Sequence, residues 1–214
     1  MQERRLTPLD RLLAGINDAL TTVAVPAGRA ARDYPAADID EVELDARAKA
    51  HAAGLMRVNH AGEIAAQGLY QGHAVVARDE KISAQMRQSA QEEFDHLAWC
   101  EQRLAELGDG PSKLNSLWYV GSFAIGAASG VFGDKWSLGF IKETEQQVCE
   151  HLSGHLQGLP DEDARSRAVV AQMRDEEREH GEKAAAAGAA ELPRPVKDLM
   201  RLTSKLMTST AYRL

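Results

Sequence analysis

Two segments, Glu93-Phe94-Asp95-His96 and Glu177-Arg178-Glu179-His180, share the pattern Glu-x-x-His and decide how the chain folds. Residues three apart lie on the same face of a helix, so each segment can present one carboxylate and one imidazole to the same point. Glu93 and Glu177 also interrupt stripes of apolar residues at helical spacing, and carboxylates are almost never fully buried without a partner. The two motifs therefore predict a shared, buried polar site between helices.

Two further acids, Glu63 and Glu145, lie on apolar stripes of their own. The separations within each pair nearly agree: 93 − 63 = 30 and 177 − 145 = 32. In an antiparallel helix pair, residues at the same height are equidistant from the turn. The midpoints, 78 and 161, fall inside Arg78-Asp79-Glu80 and Pro160-Asp161-Glu162, which polar and proline breakers independently mark as turns. The spacing therefore predicts two helical hairpins whose acids meet near mid-helix.

Composition agrees with an all-helical chain of 214 residues, because aromatic residues make up only 5% and β-branched runs do not alternate. Periodicity and breakers predict helices over about 42–77, 82–107, 135–156, 163–187 and 196–212, with a charge-free segment at 114–133. The halves repeat at offsets of 82 and 84 residues. We expect an all-α four-helix bundle made from a duplicated hairpin, with additional amphipathic helices. Residues 1–40 would form an amphipathic helix and a linker, and residues 41–214 the bundle.

Four glutamates and two histidines at the middle of such a bundle match the di-metal carboxylate site of ferritin-like proteins. The predicted ligands are Glu63, Glu93, His96, Glu145, Glu177 and His180. Oxygen-rich ligation with imidazoles suits iron or manganese rather than structural zinc, and four carboxylates balance two divalent ions. Two reduced irons can activate O2. The alternative is that the four acids form ordinary surface ion pairs. Glu143, in contrast, shares a face with Gln147 and Glu150 and is expected to be solvated.

Longer strings resemble a known family, the demethoxyubiquinone hydroxylases of ubiquinone biosynthesis. They are 57–63 (RVNHAGE), the Asp95-His96-Leu97 region, 174–180 (RDEEREH) and the ending Tyr212-Arg213-Leu214. The resemblance implies that the six residues are iron ligands and that the reaction is O2-dependent hydroxylation of a demethoxyquinone ring, with an electron donor that the sequence does not identify. Family members carry a histidine six residues past the glutamate of the third bundle helix, associated with redox or substrate chemistry. His151 fits that spacing.

A polyprenyl quinone resides in the bilayer, so this resemblance implies peripheral membrane contact at the cytoplasmic face of the cell membrane. Segment 114–133 could lie at the membrane interface or line a substrate tunnel, pack as bundle core, or span the membrane. Helix 196–212 sets apolar residues against Lys197, Arg201 and Lys205, so it could face anionic lipid or simply cap the bundle. The N-terminal helix could bind lipid or form a dimer contact.

Several residues complete the expectations. Asp95 and Asp175 could hydrogen-bond the ligand imidazoles, and His60 is expected beside a ligand or the substrate. A net charge of −7 argues against nucleic-acid binding, and the widely spaced Cys100 and Cys149 are expected to be reduced. A homo-oligomer or a complex with other biosynthetic proteins is possible. The rival functions are ferritin-like iron storage and a purely structural bundle.

Overall fold

The computed structural model describes residues 30–214 together with Asn17, Ala19, Thr21 and Thr22. Within residues 30–214 it contains helices and no strand. The helices are α1 (Ala46–Val76), α2 (Glu80–Glu106), α3 (Asn115–Val131), α4 (Asp134–Gly158), α5 (Ala164–Ala186) and α6 (Arg194–Ala211). The all-α prediction is confirmed. The predicted N-terminal helix, from Thr7 to about Val23, lies almost wholly outside the described residues.

Helices α1, α2, α4 and α5 form a four-helix bundle of two hairpins, α1 with α2 and α4 with α5, and α1 also contacts α4 while α2 contacts α5. The turns fall where the midpoints placed them, between Val76 and Glu80 and between Gly158 and Ala164. The second turn is fixed by Asp163, whose Oδ1 accepts hydrogen bonds from the Ser166 backbone N–H and the Arg103 side chain, both at 2.9 Å. Both hairpins are therefore confirmed.

Hydrophobic layers lie on either side of the bundle's midpoint, at positions seven residues before and after each predicted glutamate ligand. Seven residues correspond to about 10 Å along a helix. One cluster holds Met56, Cys100, Leu152 and Val170, and the other holds Tyr70, Met86, Leu138 and Ala184. The four glutamates thus sit between two apolar layers, in a part of the bundle from which water is largely excluded. Both cysteines are free, and Cys100 is buried in the first layer.

Helix α3, in the charge-free segment 114–133, packs against α1 through glycines. A Cβ built on Gly68 or Gly72 would meet the backbone oxygen of Tyr119 or Phe123, and one built on Gly126 would lie 2.4 Å from the Leu69 oxygen. The glycine side of α3 is therefore in contact with the bundle, together with the buried Tyr119, whereas Leu117, Val120, Ile125 and Val131 are exposed. Among the described helices, none is both long enough and apolar enough to cross a membrane.

The close approach of α1 and α3 predicts a stability difference between two glycine-to-alanine variants. A Cβ at Gly72 would lie 2.3 Å from the Phe123 oxygen, so we expect Gly72→Ala to lower the free energy of unfolding by about 2 kcal/mol. Gly154, in α4, has nothing within 4 Å of its Cβ position, so Gly154→Ala should leave stability unchanged or raise it by up to about 1 kcal/mol. Urea denaturation of both variants measures the difference, and equal effects would contradict the glycine contact.

Helix α6 lies across α1 and α4 and changes the environment of one acid. Glu143 was expected to be solvated, but it is only 3% exposed. The Lys197 ammonium lies 3.0 Å from its carboxylate, and the Gln147 amide donates to it at 2.8 Å. The prediction was wrong because it treated the face of α4 in isolation, whereas α6 covers that face. Lys197 accordingly holds α6 against the bundle instead of facing outward.

Residues 30–40, which we call the strap, precede α1 and pack onto the bundle. Ala36 is fully buried in the first hydrophobic cluster, and the Tyr34 hydroxyl donates to Glu106 at 3.1 Å. The Arg165 guanidinium donates to the Ile39 backbone oxygen and lies 5.6 Å from the centre of the Tyr34 ring. These residues, which were expected to form a linker, are therefore packed against the bundle.

Candidate metal centre

The six predicted ligands all lie inside the bundle. Glu63 comes from α1, Glu93 and His96 from α2, Glu145 from α4, and Glu177 and His180 from α5. Their exposed fractions are 3%, 0%, 0%, 1%, 2% and 5%, in that order of residue number. Ordinary surface ion pairs are excluded by this burial.

Both histidines point the same ring nitrogen at the centre of the cluster. Nδ1 of His96 lies 3.0 Å from Glu177 Oε1, and Nδ1 of His180 lies 3.3 Å from Glu177 Oε2, each in hydrogen-bond geometry. The two ring centroids are 6.3 Å apart. Glu177 therefore lies between the two imidazoles and can bridge anything that both of them bind.

Glu93 is the strongest sign that this site is built for cations. Its carboxylate is fully buried, and its two oxygens lie at ion-pair distance from both imidazoles, 2.9 Å from His96 Nδ1 and 2.8 Å from His180 Nδ1. Oε2 of Glu63 is buried without a hydrogen-bond partner. A fully buried carboxylate without a hydrogen bond is costly unless a positive charge compensates it.

The remaining acid, Glu145, accepts a hydrogen bond from the buried Tyr70 hydroxyl at 2.6 Å. Burial first, and then the charges of Glu177 and Glu93, raise its pKa well above the usual range. The pKa of Glu63 is raised in the same way by burial and by the same two carboxylates. Glu145 is therefore held near the cluster by Tyr70 and destabilised by its neighbours' negative charge.

The cluster's charges are strongly interdependent. Although burial opposes it, contacts with Glu177 and Glu93 raise the pKa of His180 to about 12, and contacts with carboxylates raise the pKa of His96. Even with both imidazoles positive, four carboxylates outnumber two cations. Two divalent ions would instead neutralise all four carboxylates and leave both imidazoles neutral, which is the form that binds metals.

Each ligand histidine is oriented, at its outer ring nitrogen Nε2, by a glutamate of the opposite hairpin. Nε2 of His96 lies 2.6 Å from Glu176, on α5, and Nε2 of His180 lies 2.9 Å from Glu92, on α2. A carboxylate on the outer nitrogen fixes the tautomer and frees Nδ1 for a metal. Each hairpin thus supplies the glutamate that orients the histidine of the other hairpin. The repeated motif is therefore Glu-Glu-x-x-His, in which the first glutamate is the orienting one.

The structure assigns this orienting role to residues other than those expected. Asp95 instead accepts hydrogen bonds from the Ala31 backbone and the Arg32 side chain, and Asp175 pairs with Arg174 and Arg178. The expectation was wrong because each histidine is met at Nε2 by a glutamate from the opposite hairpin, whereas the two aspartates are engaged by arginines. The repeated Glu-Glu pair was the available signal.

The donor set therefore fits a pair of divalent ions, with carboxylate oxygens and one Nδ1 from each histidine. Donor atoms of Glu63, Glu93, His96 and Glu177 all lie within 4.8 Å of one another. His180 adjoins this group through its contacts with Glu93 and Glu177, and Glu145 through its charge interactions with the same two acids. The arrangement can hold cations that polarise or activate a small molecule.

Two other predicted residues lie outside the cluster. His151 is six residues, about 9 Å along α4, from Glu145. It lines a cavity of about 260 Å³ between α1, α4 and α6, where its ring lies 3.9 Å from that of His155. His60 is buried, but it faces Asn115 Nδ2 at 3.2 Å and Glu101 at 3.5 Å instead of a ligand. The role of His151 stays a prediction.

The chain is similar over most of its length to known proteins of one family. The family described as ubiquinone biosynthesis protein COQ7 matches residues 50–211. A Chromobacterium violaceum protein named 3-demethoxyubiquinol 3-hydroxylase is 56% identical over 205 residues, which cover 96% of this chain and 99% of that relative. Proteins of the same name from Polynucleobacter necessarius and Dechloromonas aromatica are 53% identical over 210 residues and 52% identical over 204 residues. These matches cover 98% and 95% of this chain, and 100% and 98% of the relatives.

Proposed function

The chain belongs to the COQ7 family of ubiquinone biosynthesis proteins and is an oxidoreductase that hydroxylates demethoxyubiquinol, and we propose that it does so with O2 at two iron ions. The observation that supports the metal assignment is the convergence of four buried carboxylates on two buried imidazoles, an excess of negative charge that two divalent ions would neutralise. The hydroxylase names of the relatives favour this function over iron storage.

The six buried residues would hold the ions: Glu63, Glu93, His96, Glu145, Glu177 and His180. Two ferrous ions, when bound, supply the electrons and open coordination positions that O2 activation requires. Glu177 is suited to bridge them, because its two oxygens reach toward one histidine each. Glu92 and Glu176 hold the outer nitrogens of the histidines, so both rings keep Nδ1 directed inward. Tyr70 fixes one oxygen of Glu145 and thereby limits the orientations of that carboxylate.

The chain also controls what else enters the site. The apolar layers seven residues on either side of the glutamates keep bulk water away from the carboxylates. A dry site strengthens the electrostatic interactions within it and limits side reactions of activated oxygen. The quinol ring would have to approach through a gap between helices, since the layers block both directions along the bundle axis.

The substrate's polyprenyl tail motivates a second part of the proposal, that α3 and α6 rest on the membrane surface. Both helices expose large apolar side chains: Leu117, Val120, Ile125 and Val131 on α3, and Leu199, Leu202 and Leu206 on α6, each at least 43% exposed. Phe132, directly after α3, is 77% exposed. Arg201 and Lys205 on α6 would complement anionic headgroups. This arrangement would let a quinol pass from the bilayer into the protein.

We expect the double variant Leu202→Ser/Leu206→Ser to bind vesicles containing phosphatidylglycerol about a hundredfold more weakly. Each leucine that inserts into the membrane contributes about 1.5 kcal/mol to the free energy of binding. Vesicle flotation measures the bound fraction. Val42→Ser is the matched control, since Val42 is 47% exposed but precedes α1 on another part of the chain. Equal binding of the wild type and the double variant would contradict the membrane role of α6.

The hydroxylation chemistry is tested with isotope-labelled oxygen. Iron-loaded protein, prepared without O2, is mixed with a short-chain demethoxyubiquinol and then with ¹⁸O2. We expect one ¹⁸O atom in the new ring hydroxyl, detected by mass spectrometry. Product that carries oxygen from water, or iron mineral without product, would overturn the proposal.

A further inference from the structure

The strap carries one residue, Arg32, that reaches behind the proposed metal centre. Its Nη1 donates to Glu176 Oε1 at 2.7 Å, and its Nε donates to Asp95 Oδ2 at 2.5 Å. Glu176 uses its other oxygen, Oε2, on Nε2 of His96 at 2.6 Å. A continuous chain of contacts therefore runs from the strap, through Glu176, to one of the histidines.

Arg32 is held more firmly than an ordinary surface arginine. The backbone N–H of Ala31 donates to Asp95 Oδ1 at 2.7 Å, and Ala36 is fully buried, so the chain is fixed on both sides of Arg32. The guanidinium lies 4.8 Å from the centre of the buried Trp99 ring, in cation–π geometry. A lone exposed ion pair contributes little to stability. A planar guanidinium that donates to two carboxylates and stacks on an aromatic ring, in contrast, fixes the orientation of both partners.

Glu176 is thereby held at both of its carboxylate oxygens. Oε1 accepts from Arg32 and Oε2 is directed at Nε2 of His96, so the two contacts together fix the orientation of the carboxylate.

In the other half of the duplicated site, no arginine among the described residues donates to the orienting carboxylate. Glu92, which orients His180, accepts from Gln88 at 3.1 Å, much as Glu176 accepts from Gln172, and Arg32 reaches only its backbone oxygen, at 3.4 Å. Its cationic neighbour is Lys183, at 3.8 Å, and the side chains of Lys183 and Glu92 are 53% and 32% exposed. In contrast, the Glu176 side chain is 17% exposed. The two histidine positions are therefore equivalent in sequence pattern but not in how rigidly their orienting glutamates are held.

We propose that Arg32 is a positioning residue that holds Glu176 on His96 and thereby makes the two metal positions inequivalent, with the ion at the His96 position bound more tightly. This inference rests on the proposed function in one respect only, that the cluster binds metal. Loss of a residue that orients a ligand histidine costs about 10- to 100-fold in metal affinity, and Arg32 acts one contact further out, through Glu176, so its effect should lie near the lower end, about tenfold.

The test is an Fe²⁺ titration without O2, against a chelator of known affinity, on the full chain. In the wild type we expect two ions with distinct dissociation constants. Arg32→Ala should weaken the tighter ion by about tenfold or more and leave the other unchanged. Lys183→Ala, the matched control at the other half, should change neither constant by more than about twofold.

Two further variants separate positioning from simple docking of the strap. Arg32→Lys keeps the charge but replaces the planar guanidinium, whose Nε and Nη1 each reach a different carboxylate, with a single ammonium nitrogen, so it should also weaken the tighter ion. In the Glu176→Gln protein, adding Arg32→Ala should not change the dissociation constant of the tighter ion further, because Arg32 acts through Glu176. A thermal melt of each metal-free variant reports on folding.

The outcomes are distinct. If Arg32→Ala leaves both constants unchanged, or weakens both ions equally together with a lower melting temperature, the inference is wrong and the strap is only structural. If Arg32→Ala does not fold, Arg32→Lys decides the question by the same two constants. A wild type that binds no iron would instead overturn the proposed function.

Discussion

Replacing Glu177 with alanine is expected to abolish hydroxylation, with a loss of turnover of about a thousandfold or more. Glu177 is 2% exposed and accepts hydrogen bonds from Nδ1 of both His96 and His180. It would hold metal beside both histidines, and metal-ion catalysis is worth several kcal/mol, at about 1.4 kcal/mol for each factor of ten. Product formation per enzyme under single-turnover conditions measures the loss.

Glu179→Ala is the matched control, because Glu179 lies two residues away on α5 but is exposed. It should keep wild-type turnover and bound iron. Glu177→Ala that retains bound iron and turnover would show that the cluster is not the catalytic centre. Parallel losses in both variants would point to a general defect of α5.

Glu145→Gln is expected to have opposite effects on the metal-bound and metal-free protein. The amide can still accept the Tyr70 hydrogen bond, but it offers no negative charge to an ion, so metal affinity and turnover should fall. In the metal-free protein the same change removes a buried charge that other carboxylates repel. The free energy of unfolding should rise by about 1 to 3 kcal/mol, a shift of a few degrees in Tm.

The pH dependence of stability in the metal-free protein follows from the raised pKa of Glu145. The folded-state pKa of Glu145 is raised above the usual carboxyl range, by burial and by Glu177 and Glu93. The metal-free wild type therefore loses stability as pH rises through that raised pKa, whereas the glutamine variant does not. The difference in Tm should be largest above neutral pH and vanish near pH 4. Glu150→Gln, at an exposed position of α4, should show no such difference. A lower Tm for metal-free Glu145→Gln at high pH would contradict the charge repulsion.

The fold was predictable because one physical constraint acts on every bundle helix. Each carries an acid in the middle of an apolar stripe, and the acids can share a site only if the helices form hairpins with turns near 78 and 161. The helix bounds differ from the predicted ones by four residues or fewer, as at α1, which begins at Ala46 instead of about Val42. Asp45 sets that start by capping the Ala48 N–H.

What could not be predicted depends on contacts between elements distant in sequence. Glu143 is buried only because α6 returns across α4, and Lys197 then compensates its charge. Glu176 meets His96 across the bundle, 80 residues away, and Arg32 joins them from a strap that has no helical period of its own. The spacing of apolar residues indicates which face of a helix is buried, but it does not indicate which residue of a neighbouring helix that face meets.

The central claim, that the six buried residues bind two iron ions, is tested most directly by the iron content of the protein. The chain is loaded with excess Fe²⁺ without O2, freed of unbound metal by gel filtration and analysed for iron and protein. We expect two irons per chain in the wild type and less than one in Glu177→Ala. No retained iron in the wild type, or many irons per chain in both proteins, would contradict the account.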